Sequence, residues 1–161
     1  MAFFPLFVNL EEKPVLVIGG GAIAERRVCS LLDFGCKIVV TAPEVTEKLE
    51  KLSKNRKIVW KQDVYSKNDI GERVSGEKDV KWFFVLAAAE DSVNARVVKD
   101  CKEAGIPVNN ASRKEDCDFY FPGLIKEQEV VIGVTSSGSD HKLVAALSKR
   151  IRELVQKTWQ V

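Results

Sequence analysis

Three small residues, Gly19, Gly21 and Ala24, carry the clearest chemical signal in the chain. They form the pattern G-x-G-x-x-A within PVLVIGGGAIAERRV, directly after an apolar run and at the start of an amphipathic one. In such a loop the first glycine makes a tight turn, the second admits a pyrophosphate to the backbone, and the small third residue lets helix and strand pack closely. Free N–H groups and the helix dipole then face the anion, so Ala22 and Ile23 are expected to contribute their backbone. With its strand before and helix after, this pattern predicts dinucleotide binding.

An acidic residue near the end of the second apolar run is a further feature of dinucleotide sites. Glu44, preceded by Pro43 in the segment TAPE, stands where a carboxylate accepts hydrogen bonds from both ribose hydroxyls of NAD. Alternatively, Glu44 is an N-terminal helix residue favoured by the helix dipole. The sequence from Thr41 to Val45 contains no arginine for the 2′-phosphate of NADP. The pattern therefore favours NAD over NADP.

Small residues also follow the strongest apolar run, in the segment AAAEDSVN. Ala88 is expected to lie beside the cofactor crevice, because small residues there admit a ligand. The alternative interpretation is helix packing. Asp91 is predicted to cap the helix that follows.

Apolar runs alternate with amphipathic stretches through the first two thirds of the chain. The predicted strands are VLVIG, KIVVTAP, KIVWKQ, VKWFFVLAAA and IPVNN, and the predicted helices are AIAERRVCSLLDFG, EVTEKLEKLSK and DSVNARVVKDCKEAG. Strand-helix alternation is typical of a parallel sheet with right-handed crossovers. The predicted fold class is therefore α/β, a Rossmann-type doubly wound sheet covering residues 1–111.

A different rhythm begins after Asn110. The segment DFYFPGLIKEQEVVIGVTSSG predicts two antiparallel strands around a polar turn, and DHKLVAALSKRIRELVQKTWQV predicts one long helix. A hairpin and a helix are too small to bury their own apolar residues. Residues 112–161 are therefore predicted to be a small α+β dimerisation segment, and the protein is predicted to be a homodimer.

Bulk composition excludes several classes of function. The 161 residues carry a net charge of +2 from 25 basic and 23 acidic residues, so no global field favours nucleic acid or an anionic membrane. No apolar run reaches the roughly 18 residues of a membrane helix, and the first residues lack the features of a signal peptide. Four scattered cysteines are typical of free thiols in a reducing cytoplasm. With one histidine and no clustered ligands, no protein-built metal site is expected.

Five blocks of the sequence together resemble a known family. FPLFVNLEEKPVLVIGGGAIAERRV, VVTAPE, VLAAAEDSVNARV, VNNASRKEDCDFYFPGLI and IGVTSSGSDHKLVAAL follow one another as in the precorrin-2 dehydrogenase, or siroheme synthase N-terminal, family. The resemblance runs from about residue 4 to residue 152. It implies NAD-dependent oxidation of precorrin-2 to sirohydrochlorin, in some members also insertion of ferrous iron, and a homodimer that exchanges strands and helices.

The chain departs from the family pattern at three places. Ser112 stands where the family carries an aspartate that acts as general acid/base, and a serine hydroxyl cannot replace a carboxylate as base without a partner. The family segment SSGG-x-SP reads SSGSDHK here, which keeps Ser136 and has Asp140 and His141 near its end in place of a Ser-Pro pair. The resemblance also implies a further helical module after the last helix, and the sequence stops at Val161 before it.

The candidate catalytic residues are Ser112, Asp118, Ser136 and His141. Asp118 is alternatively a turn residue before a strand FYF, Ser136 part of a helix N-cap stretch, and His141 a solvated polar residue. The leading hypothesis is an NAD-dependent precorrin-2 dehydrogenase, with ferrochelatase activity left open. The alternatives are a non-catalytic tetrapyrrole- or nucleotide-binding module, and a chelatase-like protein.

Overall fold

A computed structural model describes residues 4–71, 81–137 and 139–158. The chain divides into a larger unit, residues 9–119, and a smaller unit formed by residues 1–8 and 120–161. The predicted boundary lay between residues 111 and 112. The structure keeps residues 112–119 with the larger unit, because this segment is hydrogen-bonded to the last strand of its sheet.

The larger unit is a five-stranded parallel sheet with helices in its crossovers. The strands are β1 (Pro14–Ile18), β2 (Lys37–Thr41), β3 (Val59–Lys61), β4 (Phe84–Ala87) and β5 (Val108–Asn110). The helices are α1 (Ala22–Leu32), α2 (Glu47–Lys54), α3 (Asn68–Gly71) and α4 (Asp91–Ala104). The strand order is β3-β2-β1-β4-β5, so the predicted fold class is confirmed. The order reverses between β1 and β4, which opens a crevice at the carboxyl ends of these two strands.

Continuous apolar strands explain why this sheet forms. All five residues of β1 are buried, and so are all four of β4, as expected for central strands covered on both faces. Leu16 and Ile18 of β1 pack in one cluster with Val85 of β4 and with Val97 and Cys101 of α4. This core holds the carboxyl ends of the central strands in place.

Several predicted boundaries are wrong in detail. Asp91 is the first residue of α4 rather than its cap; Glu90 is the N-cap, and no side chain caps this helix. The segment FYF is not a strand, and the first strand of the smaller unit begins only at Gly123. Val80, the predicted start of the fourth strand, and residues 159–161 of the predicted last helix lie outside the described residues.

The smaller unit is a β-hairpin and a helix. Strands β6 (Gly123–Glu127) and β7 (Val130–Val134) are antiparallel, and α5 spans His141–Thr158. A Cβ at Gly123 would lie 2.8 Å from both Ser148 Oγ and Val144 Cγ1, so glycine allows α5 to approach the hairpin closely. Among the helices that the structure describes, none combines the length and apolar character that crossing a bilayer requires.

Stability of the larger unit should fall at alkaline pH because of two buried protonated groups. The hydroxyl of Tyr65 donates to Asp100 Oδ2 at 2.7 Å, and burial together with Asp100 raises the pKa of Tyr65 above its usual value of 10.0. Burial, with a further contribution from Asp100, raises the pKa of Cys101 from 9.0 to about 12. The unfolded chain gives up these protons first, so stability is full below about pH 9 and is lost as pH rises toward 12. Cys101 contributes a slope of about 1.4 kcal/mol per pH unit from about pH 9, and Tyr65 adds a slope of the same size above about pH 10.

Urea unfolding at a series of pH values from 8 to 11 measures this slope. Tyr65→Phe removes one titrating group, so the free energy of unfolding of this variant should fall less steeply above pH 10. An unchanged slope in Tyr65→Phe would contradict the assignment.

Candidate functional site

The first glycine of the loop between β1 and α1 is required by a close backbone contact. Gly19 has a φ of +116°, and a Cβ there would lie 2.2 Å from the carbonyl oxygen of Ala88. The N–H of Gly19 donates to Thr41 O at 3.0 Å, and the N–H of Ala88 donates to Ile18 O at 2.8 Å. Gly19 therefore joins the carboxyl ends of β1, β2 and β4, as the predicted tight turn requires.

Gly20 is a structural position that the sequence pattern did not single out. A Cβ at this residue would lie 2.0 Å from the carbonyl oxygen of Glu44, and its own carbonyl accepts a hydrogen bond from Thr46 N–H at 3.0 Å. The loop after β2 is thus held directly against the phosphate loop. The run of three consecutive glycines was the available signal, but the pattern G-x-G-x-x-A assigns no role to its second residue.

Gly21 faces open space. A Cβ there would meet nothing within 4 Å, and Gly21 is the N-cap of α1 with no side-chain cap hydrogen bond. The first-turn N–H groups of a helix have no intrahelical acceptor, and the helix dipole favours an anion beside them. Ala22 and Ile23 are exposed at this end, whereas Ala24 is completely buried against the sheet. The geometry fits a dinucleotide pyrophosphate, with Gly21 providing the approach and Ala24 the close packing.

Glu44 lies at the edge of this crevice and not in a helix. It is exposed and precedes Thr46, the N-cap of α2, by two residues. The loop that carries it is anchored by Trp60 Nε1, which donates to Ala42 O at 2.9 Å, and by Gln62 Nε2, which donates to Pro43 O at 3.3 Å. A carboxylate on an anchored loop after β2 suits a ribose diol, and its assignment to that role stays a prediction.

A buried asparagine joins the loops after β4 and β5. The side chain of Asn94, in the first turn of α4, is 0% exposed. Its Oδ1 accepts from Ala89 N–H at 2.9 Å, and its Nδ2 donates to Ala89 O at 2.9 Å and to Ser112 Oγ at 2.7 Å. The N–H of Ser112 in turn donates to Asn110 Oδ1 at 2.9 Å. Ser112 is therefore held at the same end of the sheet as the phosphate loop, through Gly19, Ala88 and Ala89.

The turn that follows Ser112 is folded around a thiol. Cys117 Sγ accepts from Asn110 N–H at 3.2 Å and from Asn109 Nδ2 at 3.4 Å, and it lies 3.2 Å from Asn110 O. Burial raises the pKa of this thiol, so it packs as a neutral group at neutral pH. Burial and the neighbouring Arg26 lower the pKa of Arg27 on α1 to about 10. The sequence patterns did not predict a role in the site for Asn94, Asn109 or Asn110, because buried asparagines leave no periodic signal in a sequence.

Asp118 is placed away from Ser112 by its backbone partners. Its Oδ2 accepts from Val108 N–H at 2.9 Å, and its own N–H donates to Val108 O at 2.9 Å. Val108 is the first residue of β5, whereas the nucleotide loop lies at the carboxyl ends of the strands. The predicted turn role of Asp118 has a clear structural basis, and its catalytic role stays a prediction.

Ser136 and His141 belong to the smaller unit. Ser136 Oγ accepts from Asp140 N–H at 2.9 Å, and Asp140 Oδ1 accepts from Leu143 N–H at 2.8 Å, which caps the start of α5. His141 is the exposed first residue of that helix. Ser137 has a φ of +56°, a conformation that glycine adopts more easily. Both candidate residues thus lie at one helix start.

Among the described residues, no group of three or more histidine, cysteine, aspartate or glutamate side chains is arranged to hold a metal ion.

The phosphate loop is matched by a known protein family. Residues 6–123 match the sequence profile of the family described as "Putative NAD(P)-binding". The chain belongs to this NAD(P)-binding family. The profile spans the whole sheet and includes the loop at Gly19–Gly21. The family match therefore confirms the predicted dinucleotide cofactor, NAD.

The names of several relatives of this NAD(P)-binding chain refer to siroheme biosynthesis. It is 38% identical over 157 residues to the "Probable multifunctional siroheme biosynthesis protein HemA" of Ruminiclostridium josui, covering 96% of this chain and 29% of that protein. It is 33% identical over 156 residues to the siroheme synthase of Neisseria meningitidis serogroup C, covering 96% of this chain and 31% of that protein. The chain therefore spans about three tenths of the length of these relatives. The resemblance to siroheme synthases is confirmed.

A solved structure supports the fold of the NAD(P)-binding chain. The structure of SirC, precorrin-2 dehydrogenase, superimposes with a TM-score of 0.68 at 24% sequence identity, covering 97% of this chain and 71% of that one. At this identity the likeness establishes the architecture.

Proposed function

We propose that this chain is an NAD-dependent dehydrogenase that oxidises precorrin-2 to sirohydrochlorin in siroheme biosynthesis, working as a cytoplasmic homodimer. One observation carries the proposal. The open cradle at Gly21 and the hydroxyl of Ser112 are connected through Gly19, Ala88, Ala89 and Asn94 at one end of the sheet. The names of its relatives, siroheme synthases and SirC, supply the reaction that such a site would perform.

The chain's own residues have two tasks in this reaction. The backbone at Gly21, Ala22 and Ile23 binds the pyrophosphate, and Glu44 accepts hydrogen bonds from the ribose. When bound, NAD supplies the hydride acceptor. The second task is to take up a proton from the tetrapyrrole, and Ser112 lacks the basicity for it. Asp118, Ser136 and His141 remain the proposed alternative acceptors.

Basic side chains near the site are proposed to bind the substrate's carboxylates. Arg26 on α1 is exposed, as are Arg113 and Lys114 in the turn after β5. Guanidinium and ammonium groups bind carboxylates by charge-assisted hydrogen bonds. They lie on the two segments that flank the crevice, which suits a polycarboxylate tetrapyrrole.

A non-catalytic binding module is the second candidate function. The observation that favours it is Ser112 at the position where the resembled family carries an aspartate, with the candidate carboxylate Asp118 engaged by the backbone of Val108. Ferrochelatase activity is a weaker addition to the proposal, because the described residues offer no clustered metal ligands.

Turnover measured with NAD and with NADP tests both the proposed reaction and the choice of cofactor. Protein, precorrin-2 and either NAD or NADP are mixed, and nicotinamide reduction is followed by absorbance at each cofactor concentration. We expect slow reduction of NAD, and a higher KM for NADP because the carboxylate of Glu44 repels a 2′-phosphate. Preference for NADP would contradict the assigned role of Glu44. Tight binding of both ligands without reduction would favour the binding module.

The homodimer is proposed from the apolar surface of the smaller unit. Ile125 is the one fully buried side chain among its described residues. Leu143, Leu147 and Leu154 are 50%, 39% and 65% exposed and lie along one face of α5. Such a stripe on so small a unit is typical of a protein-protein interface, and a second copy of the chain is the proposed partner.

Sedimentation velocity at micromolar concentration should show a dimer. Leu147→Asp places a charge in the apolar stripe and should shift the protein toward monomer. Lys149→Gln, an exposed change on another face of the same helix, serves as the matched control and should leave the dimer unchanged. A monomeric wild type at these concentrations would contradict the proposal.

A further inference from the structure

Asn94 uses its whole amide group to hold two loops. The side chain is completely buried, and its two Nδ2 hydrogens are both used, one toward Ala89 O and one toward Ser112 Oγ. The backbone N–H of Asn94 makes the usual intrahelical bond to the N-cap carbonyl, Glu90 O, at 2.8 Å. The amide is therefore rigid before any ligand binds.

The backbone of Ala89 determines which way the amide points. A backbone N–H can only donate, so the amide atom 2.9 Å from Ala89 N must be the oxygen. The nitrogen then faces Ala89 O and Ser112 Oγ. A flipped amide would place the Nδ2 donor of Asn94 against the N–H donor of Ala89. The direction of the hydrogen bond between Asn94 and Ser112 follows without any assumption about hydrogen positions.

Ser112 is consequently set as a donor. Its Oγ accepts from Asn94 at 2.7 Å, so its own proton must point elsewhere, and its backbone is held by the bond from its N–H to Asn110 Oδ1. Ser112 is exposed. A hydroxyl that accepts one hydrogen bond becomes a stronger donor of another, and it has one lone pair fewer with which to take up a proton.

We propose that Asn94 is a positioning residue that orients Ser112 to donate a hydrogen bond to an oxygen of the bound ligands. The acceptor is a carbonyl or carboxylate oxygen, either the carboxamide of the nicotinamide or a carboxylate of the tetrapyrrole. This inference rests on the proposed function for its ligands. It assigns Ser112 a role opposite to that of a proton acceptor.

A double-mutant cycle on turnover tests whether Asn94 acts through Ser112. Ser112→Ala and Asn94→Ala should each lower kcat/KM by about tenfold, the effect of one lost hydrogen bond, and the double variant should lose no more than either single variant. Ser112→Thr keeps the hydroxyl and should retain activity, whereas Lys99→Gln, an exposed change on the same helix, is the control. A hundredfold loss in the double variant would mean independent effects and would overturn the proposal.

The ligand that Ser112 contacts is identified by separating the two binding steps. Calorimetric titration of Ser112→Ala with NAD alone should show weaker binding if the nicotinamide is the acceptor. Unchanged NAD affinity with a raised KM for precorrin-2 would identify a tetrapyrrole carboxylate. Either result supports a donor role for Ser112. If neither the NAD affinity nor the KM for precorrin-2 changes, the proposal is overturned.

A measurement on the protein without ligands keeps this inference separate from the proposed function. The side-chain amide protons of Asn94 are assigned by NMR from their absence in Asn94→Ala, or from selective labelling if that variant does not fold. In Ser112→Ala one of the two protons should shift upfield and exchange faster with solvent. An unchanged pair would overturn the proposal even if the enzyme turns over. The expected shift in a protein without turnover would support the positioning contact while the dehydrogenase function failed.

Discussion

Gly21→Ala should weaken NAD binding by about ten- to a hundredfold while leaving the fold intact. The added methyl group enters space that is open in the protein, so it meets no neighbour within 4 Å. It would stand between the first turn of α1 and a bound pyrophosphate, where hydrogen bonds to a charged group contribute about 1.5–3 kcal/mol each. Calorimetric titration with NAD measures the loss, and thermal unfolding in the absence of ligand should be nearly unchanged.

Gly20→Ala is the matched control, because it makes the same chemical change one residue earlier. Its Cβ would lie 2.0 Å from the carbonyl oxygen of Glu44, so the loop after β2 must move. Overpacking of this kind typically costs about 1–3 kcal/mol of stability. Equal destabilisation by the two variants, or unaltered NAD affinity in Gly21→Ala, would contradict the assignment of Gly21 as the pyrophosphate position.

Ser112→Asp should raise turnover, because it places a carboxylate base at the position where the resembled precorrin-2 dehydrogenase family carries an aspartate. A general base typically contributes about a hundred- to ten-thousandfold to rate. The structure provides the partner for such a carboxylate, since Asn94 Nδ2 lies 2.7 Å from the present hydroxyl oxygen and would donate to the ionised group. A donor to the charged form lowers a carboxylate pKa, so the variant should gain an acidic limb in its profile of kcat against pH.

Ser112→Asn separates basicity from shape in the same experiment. The amide has nearly the size of the carboxylate but cannot take up a proton, so its turnover should not rise. A gain in Ser112→Asn equal to that in Ser112→Asp would contradict a role as base. If Asp118→Asn or His141→Ala costs far more than Ser112→Ala, the proton acceptor has moved to one of those residues. Absence of turnover in both wild type and Ser112→Asp, with both ligands bound, would favour the binding module.

The periodic features of the fold were predictable from the sequence. Apolar runs such as VLVIG predict buried strands because parallel strands covered on both faces need continuous apolar residues. The glycine pattern predicts the turn after β1, and the φ of +116° at Gly19 agrees with it. Boundaries were less predictable: Asp91 proved to be the first helical residue and not the cap, and FYF proved not to be a strand. Residues 119–122 contain neither strand nor helix, and they follow a hydrogen-bonded turn around Cys117.

By itself the sequence determined the sheet, its crossovers and the chemical types of the loop residues, because strand and helix periods and glycine spacing are local properties. Only the tertiary structure decided which of the candidate side chains meet. It joined Ser112 to the crevice through the buried Asn94 and directed the carboxylate of Asp118 to the far end of β5. It also gave Gly20 and Gly21 opposite roles, one against a backbone carbonyl and the other against open space. These distinctions depend on contacts between residues distant in sequence, which neither periodicity nor spacing records.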